Sequence, residues 1–159
     1  MKEDLQKKAI QKSTIRLSIN AFVMGDLLLI LMLIWMQRTE HFNLFMIAEI
    51  AFAIPLLMIS IICYGKLGYR DEYTIYDKIG WVAMTTANNF ALNIVGIILA
   101  GFSTTIAIVY FIVLLGFAIG YYILNIYYKR YSVREELTKL VFILLILFFG
   151  GIFPIFFLH

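Results

Sequence analysis

Charged and turn-forming residues cut this chain into five long apolar runs, at about residues 18–36, 42–63, 80–101, 104–128 and 140–158. A bilayer core about 30 Å thick is crossed by about 20 helical residues at a rise of about 1.5 Å each, and every run reaches that length. The runs are continuous, whereas a strand of a transmembrane barrel alternates apolar and polar positions over about ten residues. A helix also satisfies its own backbone N–H and C=O groups inside lipid. The pattern therefore predicts an all-α, polytopic membrane protein. Residues 1–159 would form one integral domain, a five-helix transmembrane bundle behind a short N-terminal segment of residues 1–17.

Composition sharpens the picture by exclusion. Of 159 residues, 63% are hydrophobic and 14% charged, which rules out an ordinary water-soluble globule. A mean hydropathy of +0.92 rules out a disordered chain. The single cysteine, Cys63, excludes an internal disulfide and a cysteine metal cluster, and two histidines are too few for a His-rich centre. No cofactor is expected.

Charge sets the expected orientation, because basic residues are retained on the cytoplasmic side. Lys2, Lys7, Lys8, Lys12 and Arg16 precede the first run. Lys66, Arg70 and Lys78 lie between the second and third, and Lys129, Arg130, Arg134 and Lys139 between the fourth and fifth. Of 13 basic residues, Arg38 alone falls on the other side. This places the N-terminus in the cytoplasm and His159 outside. The net charge of +3 thus describes a basic inner face rather than a nucleic-acid footprint, and no nucleic-acid partner is expected. The first run is longer than a signal core, and Gln37-Arg38-Thr39-Glu40-His41 offers no small-x-small cleavage site, so it reads as an uncleaved signal anchor.

Aromatic residues agree with that orientation, since amphipathic rings settle at headgroup level. Every tyrosine except Tyr110 falls on the inner side, with Tyr121, Tyr122, Tyr127, Tyr128 and Tyr131 at the inner end of the fourth run. Tyr69, Tyr73 and Tyr76, interleaved with Arg70, Asp71, Glu72 and Asp77, predict a short helix on the inner membrane surface. A shift of 64 residues aligns Tyr64, Lys66, Arg70, Asp71 and Glu72 with Tyr128, Arg130, Arg134, Glu135 and Glu136. That match describes two parallel hairpin repeats followed by a lone fifth helix. General enrichment of inner loops in Tyr, Lys and Arg gives the same pattern.

Candidate chemistry lies where polar groups sit deep, because a charged side chain at the bilayer centre costs about 2.5–3.5 kcal/mol even on the lenient insertion scale. Asp26 is ten residues beyond Arg16 and eleven before Gln37, near the midplane, and Glu49 is eight past His41. Depth alone puts these carboxyls about 4.5 Å apart along the membrane normal, and the short turn between their helices lets them face each other. Thr85, Asn88, Asn89 and Asn93, with Thr86, lie at a matching level in the third run. Thr85, Asn89 and Asn93 share one helical face through their four-residue spacing. Pro55 leaves the carbonyl of Ala51, near Glu49, without its usual donor. Together these groups offer oxygen ligands for a cation or a carboxyl pair sharing a proton. Hydrogen bonding of a protonated carboxyl to a neighbouring amide would also serve to hold helices together.

The remaining features concern packing. Gly116 and Gly120 form a G-x-x-x-G pair that permits close helix approach within the chain or between copies. Gly150-Gly151 with Pro154 marks a bend or break in the fifth helix, and the methionines read as apolar filler. No nucleophile elbow, zinc-protease or P-loop motif is present, so no enzymatic activity is expected. Two functions fit. One is an oligomeric proton- or cation-handling transport component using the mid-membrane carboxylates. The other is an accessory, sensory or immunity-type protein that binds another membrane protein. Either suits the plan of a small bacterial cytoplasmic-membrane protein, with lipid and a second copy or another membrane protein as partners.

Overall fold

The computed structural model describes residues 2–37, 44–67, 73–128 and 132–156. These form α1 (Lys2–Gln37), α2 (Leu44–Leu67), α3 (Tyr73–Phe102), α4 (Thr104–Tyr127), α5 (Val133–Ile146), a π-helical turn (Leu147–Ile152) and the short α6 (Phe153–Phe156). No strand occurs among the described residues. Among the described residues, five stretches are long and apolar enough to cross a membrane: Ile10–Met36, Leu44–Lys66, Ile75–Phe102, Thr104–Tyr127 and Val133–Phe156.

Several helices outrun the apolar runs. α1 begins at Lys2 because Lys, Glu, Gln and Leu are good helix formers and no Gly or Pro interrupts them before Gly25. α3 begins at Tyr73, so Tyr73 and Tyr76 belong to the long third helix rather than to a separate surface helix. Tyr69, Arg70, Asp71 and Glu72 lie outside the described residues, as do Arg38, His41, Lys129, Arg130, Tyr131 and His159. α2 continues through Pro55, which is exposed.

The chain divides into two compact units, residues 1–91 and 92–159, with the division inside α3. In the first unit α1 lies antiparallel to α2, since Ser13 and Arg16 bond to Tyr64 while Asn20 bonds to Ser60. The buried stripe of α1 recurs every seven residues as Ser13, Asn20 and Leu27. That of α2 runs Met46, Ile50, Ala53, Leu57, Ser60 and Tyr64, alternating steps of four and three as two helices packed along their length require. Ala83 and Ala87 supply the small buried positions of α3.

In the second unit one extended residue, Ser103, separates α3 from α4. Ala100, Ala107, Phe111 and Ile155 form its core, with Leu99, Tyr110, Leu114 and Ile152 packed around them. The Phe111 ring lies against Gly96 of α3 and Gly151 of the π turn, where any Cβ would meet it. Glycine is needed at both positions for that close approach.

Candidate polar sites in the apolar spans

At one end of the first unit, polar side chains tie three helices together. Asp77 of α3 accepts from Lys12 Nζ at 3.1 Å and also from the Arg16 guanidinium. Arg16 donates in addition to the Tyr64 hydroxyl at 2.8 Å, and Ser13 Oγ donates to the Tyr64 carbonyl at 2.6 Å. The bonds made by Lys12 and Arg16 involve charged partners and are stronger than the neutral one from Ser13. Lys66 lies 5.7 Å from the centroid of the Tyr76 ring. One turn deeper, Asn20 Nδ2 donates to Ser60 Oγ at 2.8 Å, and Ser60 Oγ donates to the Gly80 carbonyl at 3.0 Å. Asn20 and Ser60 are fully buried, and Asn20 Oδ1 accepts no hydrogen bond among the described residues.

The two deep acids occupy different environments. Glu49 is 6% exposed on the inward face of α2, flanked by Met46, Ile50 and Ala53. Asp26 is exposed on α1, although the adjoining Leu27 is 1% exposed. The register that pairs Asn20 with Ser60 sets Glu49 level with residue 31, roughly 7.5 Å along the axis from Asp26. The structure therefore turns Asp26 outward while Glu49 points into the unit. Ion pairs among the described residues use Asp77, Glu135 and Glu136 as acids, not Asp26.

The polar residues of α3 are held in separate ways. Asn89 Nδ2 donates to the Thr85 carbonyl of its own helix at 2.7 Å, and Thr86 Oγ1 to the Val82 carbonyl at 2.8 Å. Asn88 keeps a buried Oδ1 with no hydrogen-bond donor among the described residues. In the second unit Asn93, fully buried, donates from Nδ2 to the Ile146 carbonyl at 3.2 Å, just ahead of the π turn.

The second unit also contains a buried acid absent from the candidates read in the sequence. Glu136 is 1% exposed; Oε1 accepts from Lys139 Nζ at 2.8 Å and Oε2 from Asn125 Nδ2 at 3.1 Å. Lys139 also meets Glu135 Oε1 at 3.0 Å. Ser13, Asn20, Ser60 and Glu136 are thus the buried polar residues that sequence reasoning missed. The seven-residue recurrence of Ser13, Asn20 and Leu27 is the signal that would have found the first two. Gly116 and Gly120 have open space where a Cβ would stand, so neither makes a close helix contact among the described residues. No known protein family matches this chain, and no curated protein or solved structure matches it either.

Proposed function

We propose that this chain is a multi-pass protein of a cytoplasmic membrane, N-terminus inside and C-terminus outside, that acts by binding another membrane protein along α1. The observation that carries the reading is the exposure of Asp26 within the apolar stretch Ile10–Met36. A carboxyl facing lipid near mid-span is costly, and intramembrane ionisable groups ordinarily face protein or a water-filled cavity. α1 is also the span least covered by its own chain, with 11% of its most apolar stretch buried against 39% for α3. An accessory, sensory or immunity-type role follows from such a surface. No enzymatic step and no nucleic-acid contact enters this reading.

Photocrosslinking in native membranes tests it. Probes at Phe22 and Leu29, both exposed, should capture a second membrane protein, while a probe at the buried Leu27 should not. Contacts confined to copies of this chain or to lipid would overturn the proposal.

A second reading, proton or cation handling by an oligomer, is favoured by Glu49, a carboxyl buried within an apolar helix. Asp26, Thr85, Asn88 and Asn89 of the same unit would be its further polar groups. Protein in liposomes should then carry proton, sodium or potassium flux that Glu49→Gln abolishes. A well-inserted parent protein that carries none would exclude this reading.

A further inference from the structure

The exposed face of α1 has a pattern of its own. Ile15, Ile19, Phe22, Asp26, Leu29, Leu33 and Met36 follow one another at alternating steps of four and three residues. The six apolar members are all exposed, from 40% at Ile19 to 71% at Phe22. This is the spacing with which one helix presents a continuous seam to another, and it is distinct from the Ser13, Asn20, Leu27 stripe that α1 turns toward α2. Three apolar positions precede Asp26 on the seam and three follow it. A single polar residue at the centre of such a seam sets register and partner choice, because it must meet a complementary group.

We infer that this seam receives a membrane-spanning helix carrying one Lys or Arg at the level of Asp26. The inference rests on reading α1 as a docking face and adds the chemistry of the occupant. A cation supplies what Asp26 lacks, a charge-assisted hydrogen bond with no net charge left in lipid. A second copy of this chain does not supply it. Symmetric pairing of two α1 helices would bring Asp26 against Asp26. No Lys or Arg stands within residues 18–36, 42–63, 80–101, 104–128 or 140–158. The nearest base on α1, Arg16, is ten residues away and already bonded to Tyr64 and Asp77.

The test uses the full chain, fluorescently labelled, in phosphatidylcholine vesicles with synthetic leucine-rich transmembrane helices bearing a central Arg, Asn or Leu. Energy transfer should report association with the Arg helix at least about tenfold tighter than with the other two. Asp26→Asn should erase that preference, and Glu49→Gln should leave it intact. Phe22→Ala with Leu33→Ala should weaken the Arg helix severalfold by removing seam contacts. Asp26 is exposed, so its variant is expected to unfold in detergent like the parent, and that measurement shows it is folded. Equal binding of the three helices, or a preference that survives Asp26→Asn, overturns the inference. Self-association that depends on Asp26 with no preference for Arg overturns the basic occupant and gives the seam to a second copy of this chain. No association of any kind, joined to crosslinks only to lipid, overturns both.

Discussion

The Asn93 side chain donates to the Ile146 carbonyl at 3.2 Å, linking α3 to the last residue of α5, immediately before the π turn. A π turn closes rings one residue longer than those of an α-helix, as the bond from the Phe153 N–H to the Phe148 carbonyl shows. Pro154 contributes to this choice of backbone. It has no N–H, and its ring crowds the carbonyl four residues back, Gly150, so a wider turn costs little there. Asn93→Leu removes the donor to Ile146 and should destabilise the second unit by about 1–2 kcal/mol. Reversible unfolding in mixed micelles measures it, and an unchanged midpoint would show that the bond contributes nothing.

The glycines divide into two classes that a stability series can separate. At Gly96 and Gly151 a methyl group would run into the Phe111 ring, itself 2% exposed. Alanine at either position should cost about 1–3 kcal/mol, as overpacking does. Alanine at Gly116 or Gly120, where space is open, should leave unfolding unchanged or slightly improve it through helix propensity. If Gly116→Ala nonetheless weakens association between copies in a crosslinking assay, the G-x-x-x-G pair acts between chains.

Two neighbouring glutamates should respond differently to the same change. Glu136 is buried and accepts from both Lys139 and Asn125, whereas the Glu135 side chain is 58% exposed. Glu136→Gln removes the carboxylate charge that faces Lys139 and replaces the oxygen that accepts from Asn125 with an NH2 or leaves Lys139 without its acceptor, and should cost about 1.5–3 kcal/mol, while Glu135→Gln should cost less than about 1. Equal effects measured by unfolding would mean that burial of Glu136 adds nothing to its pairing with Lys139.

Ser60 links two helices through one hydroxyl, accepting from Asn20 and donating to the Gly80 carbonyl. Ser60→Ala leaves a buried amide donor and a buried carbonyl without that partner, a loss of about 1–3 kcal/mol. Ser60→Thr, which retains the hydroxyl, should recover part of this if the extra methyl fits. Recovery by neither unfolding nor protease resistance would point to shape rather than hydrogen bonding at this position.

The five spans were legible in the sequence because apolar length is a one-dimensional property, set by the thickness the helices must match. Where each helix starts was less legible. Lys2 and Tyr73 begin α1 and α3 well before the apolar runs, since helix formation tolerates charge that lipid does not. Depth also reads directly from sequence position, which is why Asp26 and Glu49 stood out. Direction around the helix axis does not, because it is decided by which neighbours pack there. Leu27 faces inward and Asp26 outward for that reason. Glu136 escaped notice because its burial depends on Asn125 and Lys139 approaching from other turns, and a charged segment beside an apolar run reads as solvated.

The π turn amounts to one surplus residue held inside an otherwise α-helical rod. Each residue advances an α-helix by about 100°, so winding the same residues as a regular α-helix, with Gly150 kept, would rotate everything after it by roughly that angle, a phase the wider turn absorbs. Ile155, buried now with Phe111 and Ala107, would swing away while the exposed Phe153 turned inward. The Gly150-Gly151 pair thus works as a phase adjuster, deciding which side of the last helical turn faces the protein.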